Sequence, residues 1–410
     1  MTPQRCVLLK YGELVLKGRN RGAFERHLLH NVTHALGGGE DDPRILQRGN
    51  VLAVLSRLPH DELIRRLCEV IGISVVQPAL RVSKTPDAMI SAALQLLHEH
   101  IEHTDTTAEP PTFAVRARRR SKKFPLTSDQ IAVQLGDRIR REMDWPVRLD
   151  APDIEVNVEV DYREVFVSVE RHRGQGGLPV GSTGRALAML SGGFDSPVAA
   201  YRAMRRGLAC DFVHFTGAPL TGPSSAYKAY ALARELNRFQ PNSRVHVVPI
   251  GTAQRTLATA GSGQLQIVAQ RRLMVRAAAT LGHELGAEAL VTGDSLGQVS
   301  SQTLSNMATV EQASTLPLLR PLVAWDKEEI IAEANRIGTA EISKLPDEDC
   351  CTLLTPPRVA TSTTEEQLSV VEGRAQIDEL VAKVLANTQV MSPADMGESV
   401  APEERAPVAD

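Results

Sequence analysis

A short turn rich in glycine and hydroxyl groups is the part of this 410-residue sequence best suited to chemistry. The apolar run ALAML is followed by SGGFDS (191–196) and then by apolar residues at helical spacing. Backbone amides at a strand-to-helix turn can converge on a phosphate, and the helix dipole adds to the attraction. Glycine allows a close approach because it has no Cβ. The turn therefore predicts phosphate binding, and the alternative is a tight turn without a ligand.

The side chains of this turn have separate predicted tasks. The hydroxyls of Ser191 and Ser196 can donate to phosphate oxygens, while Gly192 and Gly193 give access to the backbone. Asp195 cannot bind a phosphate directly, but it could hold Mg²⁺. A Walker loop is excluded because the sequence has no GxxxxGK[ST] motif.

A basic run forms the second candidate site. The segment RARRRSKK (116–123) carries six positive charges in eight residues, and residues 113–148 contain ten basic and four acidic side chains. From residue 364 onward there are ten acidic and three basic residues, so the net charge of −3 hides a basic centre and an acidic end. Such a patch suits a nucleic-acid backbone, although a solvated strand or a localisation-like run is the alternative. The predicted nucleic-acid-binding residues are Arg116, Arg118, Arg119, Arg120, Lys122 and Lys123.

An adjacent cysteine pair, Cys350-Cys351, lies in the proline-bounded segment LPDEDCCTLLTPP. A thiol in such a segment could act as a nucleophile or form a disulfide. Buried structural cysteines are commoner, but an acidic loop is a poor place for an inert core thiol. The neighbours Asp347, Glu348 and Asp349 should raise the thiol pKa unless basic groups offset them. The remaining cysteines are predicted to be structural, and these are Cys6, Cys68 and Cys210.

The elements that must position these residues fall into two patterns. Up to residue 172, strands with alternating apolar residues and helices such as 59–72 and 128–143 predict small α+β modules. After the glycine-rich stretch 171–184, short apolar strands alternate with helices, which predicts a doubly wound α/β domain with a parallel sheet. One helix and a disordered acidic tail are predicted beyond residue 360. Without a signal peptide or an apolar run of roughly 20 residues, the expected location is the cytoplasm.

The glycine turn and six further stretches support a family resemblance. SGGFDS resembles the pyrophosphate loop of the N-type ATP pyrophosphatases, which cleave ATP between the α- and β-phosphates. With YGELVLKGRNRGAFE, FPLTSDQI, PDIEVNVEV, GQGGLPVGSTG, VTGDSLGQVSSQTLSNM and RPLVAWDKEEII, the chain resembles the tRNA 4-thiouridine synthetase (tRNA sulfurtransferase) family over roughly residues 5–360. The resemblance implies a ferredoxin-like domain (1–60), a THUMP RNA-binding domain (61–172), a pyrophosphatase domain (173–360) and a helix with a tail (361–410). The C-terminal rhodanese domain of longer members is not expected here.

The resemblance also assigns residues. It implies catalytic roles for Asp195, Lys327 and Cys350. Cys351 is well placed in the sequence to be the resolving thiol, and an external thiol is the alternative. The resemblance also implies ATP and Mg²⁺, the metal on Asp195, and a nucleotide site of Met189, Leu190, Ser191, Gly192, Gly193, Ser196, His214, Phe215, Arg271, Gly293 and Gln302. From the residues alone, His214 could equally be a satisfied histidine at a strand end. Lys327 alone would be interpreted as a surface lysine at a helix start. Asp294 is either a second metal carboxylate or a structural cap.

The implied activity is the adenylation of uridine O4 near position 8 of a tRNA and its replacement by sulfur from a cysteine persulfide. The implied partners are tRNA and a cysteine desulfurase, which would donate the sulfur. Whether the chain also serves a carrier protein for thiazole synthesis, and whether it forms a homodimer, are left open. One alternative is another adenylating pyrophosphatase, which needs an ammonia source that the sequence does not show. The other is a non-catalytic THUMP RNA-binding protein, against which the intact SGGFDS turn and Lys327 count.

Overall fold

The computed structural model describes residues 2–37, 43–103, 110–348, 350 and 353–392. Asp349, Cys351 and the predicted tail from residue 393 onward lie outside this range. The chain divides into two units, Met1–Pro179 and Val180–Asp410, each with its own sheet. No helix within the described range is long and apolar enough to cross a bilayer.

The first unit is an α+β arrangement on a single mixed sheet. Its elements are β1 (Gln4–Tyr11), α1 (Arg21–Ala35), β2 (Arg44–Arg48), β3 (Val51–Leu55), α2 (His60–Glu69), β4 (Ile73–Ser83), α3 (Pro86–His103), β5 (Phe113–Arg119), α4 (Ser128–Met143), β6 (Ile154–Val160), β7 (Glu164–Ser168) and β8 (His172–Arg173). The strand order is β2-β3-β1-β4-β7-β6-β5, with β8 on β4. Within the described residues, β5 and β6 are the only parallel pair of strands in this sheet, and the other pairs are antiparallel.

Alternation along the strands separates the two faces of this sheet. Val7 and Leu9 of β1 join the core beneath α1 and α2, whereas Cys6 and Leu8 join a smaller cluster on the opposite face. The sequence does not predict the long strand β4, because Pro78 interrupts an otherwise strand-like run and removes one backbone donor. In the structure Pro78 lies opposite Val7, and β4 pairs with β1 on one side and β7 on the other.

The second unit is a doubly wound α/β domain. Its elements are β9 (Arg185–Met189), α5 (Asp195–Arg205), β10 (Ala209–Thr216), α6 (Ser224–Leu236), β11 (Val245–Pro249), α7 (Gly251–Thr259), α8 (Gln266–Glu284), β12 (Ala289–Val291), α9 (Leu304–Glu311), β13 (Leu318–Leu319), α10 (Lys327–Arg336), α11 (Ala340–Lys344), α12 (Glu365–Ala375), α13 (Ile377–Leu385) and β14 (Gln389–Met391). The predicted fold class, a parallel doubly wound domain preceded by α+β modules, is confirmed.

The strand order of this sheet, β13-β12-β9-β10-β11-β14, creates a switch point. The chain runs from β9 through β10 to β11 in one direction, then returns to the other side of β9 to form β12 and β13. Among the described strands of this sheet, these neighbours are parallel, and β14 pairs antiparallel with β11. In such sheets ligands bind beyond the carboxyl ends of the two strands where the order reverses. These strands are β9 and β12, so the turn 191–196 lies at the expected crevice.

The C-terminal region differs from the sequence prediction of one helix. Gln376 adopts a left-handed conformation with φ of 52°, which ends α12 and starts α13 in a new direction. Leu368 and Val371 of α12 join the main core of the unit. The side chain of Glu372 pairs with Arg272, which is only 1% exposed, at 2.5 Å. The C-terminal helices are therefore part of this domain's core.

Candidate active site

The glycine turn is braced by its own serine hydroxyls. The backbone amide of Ser191 donates to Ser196 Oγ at 2.8 Å, and the two hydroxyl oxygens are 3.0 Å apart. The amide of Gly193 donates to Ser191 Oγ at 3.3 Å. These bonds shape the turn between β9 and α5 so that its glycine backbone lies at the helix N-terminus. The phosphate contacts predicted for both serines stay predictions.

Two glycines in this crevice lie very close to neighbouring groups. A Cβ on Gly192 would collide with the carboxylate of Asp347 and would lie 3.0 Å from Cδ of Lys228. A Cβ on Gly293, just after β12, would lie 2.7 Å from the backbone nitrogen of Ser196. Gly293 therefore allows the end of β12 to touch the first turn of α5. The predicted role of Gly293 in the nucleotide site stays a prediction, with this close approach as its physical basis.

An ion pair joins Asp195 to Lys327, 132 residues later. Lys327 Nζ lies 2.8 and 3.1 Å from the two carboxylate oxygens of Asp195. Gln298 Nε2, from the loop after β12, donates to the same carboxylate at 3.2 Å. The Lys327 ammonium also lies 5.5 Å from the centre of the Phe194 ring, and Asp326 caps its helix. The structure thus brings together the two charged residues that the sequence analysis named as catalytic.

The carboxylate of Asp294 accepts hydrogen bonds from four neighbouring side chains. It accepts from Arg271 Nη2, from Thr292 Oγ1 at 2.9 Å, and from Gln302 Nε2 and Arg320 Nε at 3.4 Å. Burial raises the pKa of Asp294, but the charge of Arg271, hydrogen bonds from Arg271 and Thr292, and the charge of Arg320 hold that pKa below its usual range. This arrangement favours the structural interpretation of Asp294 over the metal-binding one. Nowhere in the described ranges do three or more histidine, cysteine or acidic side chains form a metal-binding group.

His214, at the end of β10, is a buried histidine with both ring nitrogens engaged. Nδ1 lies 2.8 Å from the carbonyl of Leu190, to which it donates, and Nε2 lies 3.2 Å from Ser225 Oγ, from which it accepts. The ring therefore fixes the strand end that leads into the glycine turn. Phe215 is buried in the main core. Adenine contacts by Leu190, Met189, His214 and Phe215 stay predictions.

One buried acceptor atom near the crevice is available for a hydrogen bond from a nucleotide. Gln302 Oε1 is buried and has no hydrogen-bond partner among the residues that the structure describes. The amide nitrogen of the same side chain is held by Asp294, which keeps the oxygen in place. An adenine amino group is a suitable donor to this oxygen. The orphaned acceptor and the glycine cradle together fit ATP.

The segment leading to Cys350 lies against the glycine turn. Ser343 Oγ donates to the carbonyl of Gly193 at 3.3 Å, and Lys228 Nζ donates to the carbonyl of Leu345 at 2.5 Å. Asp347 Oδ1 is 3.4 Å from Lys228 Nζ, and Glu348 accepts from the amide of Gly222 at 2.6 Å. The carboxylates of Asp347 and Glu348, expected to raise the thiol pKa of Cys350, thus have partners of their own.

Cys350 itself is 5% exposed and belongs to the main core, where Gln254 Nε2 donates to its carbonyl at 2.8 Å. This corrects the expectation that the loop is a poor place for a core thiol. The thiols of Cys6 and Cys210 are also buried, and burial raises the pKa of each to about 12. Burial likewise raises the pKa of Cys68. These three environments are consistent with structural roles.

Sequence reasoning missed Lys228, although a signal was present. Most of the buried positions of α6 follow helical spacing, and the buried residues are Ser225, Lys228, Ala229, Tyr230, Leu232, Ala233 and Leu236. A lysine on this apolar face is unusual, because lysine is rarely buried without a partner. Gln298 and Arg320 were also missed. Each follows a strand of the parallel sheet, which is the position where functional side chains are expected.

The predicted RNA-binding residues occupy the first unit in different environments. Arg116, Arg118, Lys122 and Lys123 are exposed, whereas Arg119 donates to the carbonyl of Leu126 at 2.7 Å. Arg118 and Arg120 line a cavity of about 1190 Å³. Its other charged residues are four basic side chains, Lys10, Arg48, Arg163 and Arg171, and two acidic ones, Glu159 and Asp161. Tyr162, also missed, lines it with 72% of its surface exposed.

Comparisons with known proteins agree with this geometry. A probable tRNA sulfurtransferase from Nocardia farcinica is 59% identical over 391 residues, covering 95% of this chain and 94% of that protein. The chain belongs to the tRNA sulfurtransferase family. A member from Thermus thermophilus is 42% identical, covering 93% of this chain and 92% of its own. Residues 181–377 match the thiamine biosynthesis protein (ThiI) family, residues 83–170 the THUMP domain and residues 6–76 the ThiI ferredoxin-like domain.

A solved structure shows the same architecture. The crystal structure of a 4-thiouridine synthetase–RNA complex with bound ATP matches with a TM-score of 0.86 and 30% identity, covering 95% of this chain and 99% of that one. The similarity therefore spans both units of the family member described here.

Proposed function

We propose that this family member is an ATP-dependent tRNA sulfurtransferase that converts a uridine near position 8 of a tRNA to 4-thiouridine. The observation that supports it most directly is the convergence of the glycine turn, Gly293 and the Asp195–Lys327 pair at the switch point of the parallel sheet. The relatives named as tRNA sulfurtransferases and the RNA complex with bound ATP support the same assignment.

The residues of the crevice divide the work of holding ATP. The amides of Gly192 and Gly193, with the N-terminus of α5, are suited to the β- and γ-phosphates. Lys327 supplies a positive charge at the same end of the helix. Asp195 offers one carboxylate to Mg²⁺, a metal that commonly takes one or two carboxylates and completes its shell with phosphate oxygens and water. Bound Mg²⁺ would supply charge neutralisation on the phosphates.

The first chemical step is adenylation. Uridine O4 attacks the α-phosphorus, so that an O4–P bond forms and the bond from that phosphorus to the pyrophosphate oxygen breaks. Lys327 and the turn amides stabilise the charge that develops on the departing pyrophosphate. Removing Lys327 should therefore reduce the rate of this step more than the affinity for the tRNA.

The second step transfers sulfur. The terminal sulfur of a persulfide on Cys350 attacks C4, the C4–O4 bond breaks, and AMP leaves with the oxygen. A second thiol then attacks the Cys350 sulfur, which releases 4-thiouridine and leaves a disulfide that a thiol reductant reopens. A cysteine desulfurase supplies the persulfide sulfur. Because Cys350 is buried in the structure, the proposal requires the segment 343–348 to move during the cycle.

The cationic cavity of the first unit is the proposed tRNA-binding surface. Six basic side chains line it against two acidic ones, which suits a phosphate backbone. Tyr162 adds an exposed aromatic ring on which an unpaired base could stack. The thiamine description of the matched family supports a second sulfur acceptor, a small carrier protein for thiazole synthesis. Transfer of labelled sulfur to such a carrier would test this addition.

An assay with two separate readouts tests the proposal. The full chain is given ATP, Mg²⁺, unmodified tRNA, a cysteine desulfurase and ³⁵S-labelled cysteine, and label in tRNA and release of pyrophosphate are measured separately. We expect Cys350→Ser to lose label transfer but keep pyrophosphate release, and Asp195→Asn to lose both. Cys68→Ser is the matched thiol control and should keep both activities.

The same assay separates the alternatives. Pyrophosphate release without tRNA labelling in the unaltered chain would indicate another adenylating enzyme. Binding of tRNA without either activity would indicate a non-catalytic RNA-binding protein. Full labelling by Cys350→Ser would remove that thiol from the mechanism.

A further inference from the structure

Lys228 of α6 is a buried cation beside the glycine turn. Its side chain is only 6% exposed, and its Cδ would lie 3.0 Å from a Cβ added to Gly192. Its Nζ donates to the carbonyl of Leu345 at 2.5 Å and lies 3.4 Å from the carboxylate of Asp347. A lysine in such a place lacks full solvation, so its charge needs an anion close by.

Asp347 is the anion that fills this need. Its carboxylate lies beside Gly192, close enough to collide with a Cβ added there, and 19% of the side chain remains exposed. This turn is suited to negative charge, because it lies at the N-terminus of α5, where the helix dipole attracts anions. A carboxylate of the chain itself thus lies where a phosphate of ATP is expected to approach.

We propose that Lys228 is a second phosphate-binding cation of the nucleotide site, and that Asp347 is an internal anion that competes with the nucleotide for it. This inference rests on the proposed function, because it assumes that the turn binds ATP. A triphosphate carries more charge and more acceptor oxygens than one carboxylate, so it is the stronger partner for the ammonium group. Because the Asp347 side chain already reaches solvent, its carboxylate moves away from Lys228 when the triphosphate binds.

The exchange has a consequence for the thiol. Asp347 precedes Cys350 by three residues, and the same segment is held to the turn through Ser343 and to Lys228 through Leu345. Displacing Asp347 from Gly192 removes one of the contacts that keep this segment in place. Binding of ATP would therefore loosen the segment that leads to Cys350 and help to expose its thiol.

A purely structural role for the pair makes a different prediction. If Lys228 and Asp347 only hold the segment in place, then neutralising Asp347 should leave ATP affinity unchanged or weaken it. If Asp347 competes with phosphate, then the same change should tighten ATP binding. AMP lacks the β- and γ-phosphates, so its affinity should respond little to either residue.

Calorimetric titration of the full chain with Mg²⁺·ATP and with AMP decides between them. For Asp347→Asn we expect ATP to bind on the order of tenfold more tightly, with AMP affinity unchanged. For Lys228→Met we expect ATP to bind at least about tenfold more weakly, and the double variant should lose the tightening caused by Asp347→Asn. Glu348→Gln and Lys344→Met are the matched controls on the same segment and should bind both nucleotides like the unaltered chain.

Three results would overturn the inference. They are unchanged or weaker ATP binding by Asp347→Asn, equal loss of ATP and AMP affinity by Lys228→Met, and full tightening in the double variant. If Lys228→Met does not fold, Asp347→Asn decides alone. Failure of the unaltered chain to bind Mg²⁺·ATP at all would instead count against the proposed function.

Discussion

Replacing Gly293 by alanine tests the close approach at the centre of the crevice. The added Cβ would lie 2.7 Å from the nitrogen of Ser196 and 2.8 Å from the carbonyl carbon of Asp195, both of them backbone atoms. Ordinary van der Waals contact starts at 3.4 Å, so the end of β12 and the start of α5 must separate by about 0.7 Å. Because neither atom is on a flexible side chain, the whole first turn of α5 must move.

This shift should cost little stability but much activity. Overpacking of a well-packed site typically costs about 1–3 kcal/mol of unfolding free energy. A displacement approaching 1 Å at a reacting centre can lower the rate on the order of 100-fold. Gly293→Ala should therefore remain folded while kcat/KM for tRNA thiolation falls roughly 100-fold. Urea unfolding followed by circular dichroism measures the first quantity, and single-turnover labelling of tRNA measures the second.

Gly373→Ala is the control. Gly373 lies inside α12, and a Cβ added there meets nothing within 4 Å. Alanine at an open helical position should raise the unfolding free energy by roughly 0.5–1 kcal/mol and leave activity unchanged. Thiolation by Gly293→Ala at the rate of the unaltered chain would refute the reasoning, since α5 would then not depend on this contact.

Three further predictions concern charge. Glu372→Gln leaves buried Arg272 without its anion and should lower the unfolding free energy in urea by about 3–5 kcal/mol, whereas the exposed Glu379→Gln should have almost no effect. Burial raises the pKa of Asp294, but its cationic and hydrogen-bonding neighbours lower that pKa by a larger amount. The ionised carboxylate therefore stabilises the fold above the ordinary pKa of 3.8, and this stabilisation is lost as the pH falls through the lowered value. Urea melts should therefore show Asp294→Asn destabilised at neutral pH and nearly equal to the unaltered chain in strong acid. Charge reversal in Arg118→Glu should weaken tRNA binding in low salt and flatten its salt dependence, and unchanged filter-binding curves would exclude this side chain.

Local sequence was sufficient for the main elements of the second unit. The apolar run before SGGFDS and the helical spacing after it predicted β9 and α5, and these positions fixed the turn at a strand end. An apolar strand and a helix with apolar residues at regular spacing are both determined by residues close together in the chain, so they can be predicted from a single sequence. The strand order, which makes β9 and β12 the switch point, depends on pairings between distant segments and was not predicted.

Side-chain partners were predictable only in part. Asp195 and Lys327 were both named as catalytic, but their ion pair joins residues 132 positions apart and needed the fold to be seen. The engagement of Asp294 by two arginines likewise depends on α8 and the end of β13 meeting the loop after β12. Cys350 was expected in an open loop, because the acidic sequence around it does not show that Gln254 and the core would cover it. The domain boundary at residue 60 stays a prediction.

The position of β4 limits how the first unit can be divided. Its backbone is hydrogen-bonded to β1 on one side and to β7 and β8 on the other, so it is common to the ferredoxin-like and THUMP portions. A fragment cut on either side of β4 would expose a long row of unpaired amides and carbonyls, which invites strand addition and aggregation. Truncated forms for crystallisation or binding studies should therefore retain residues 2–179 as a whole, and modules should be exchanged between homologues only outside this sheet.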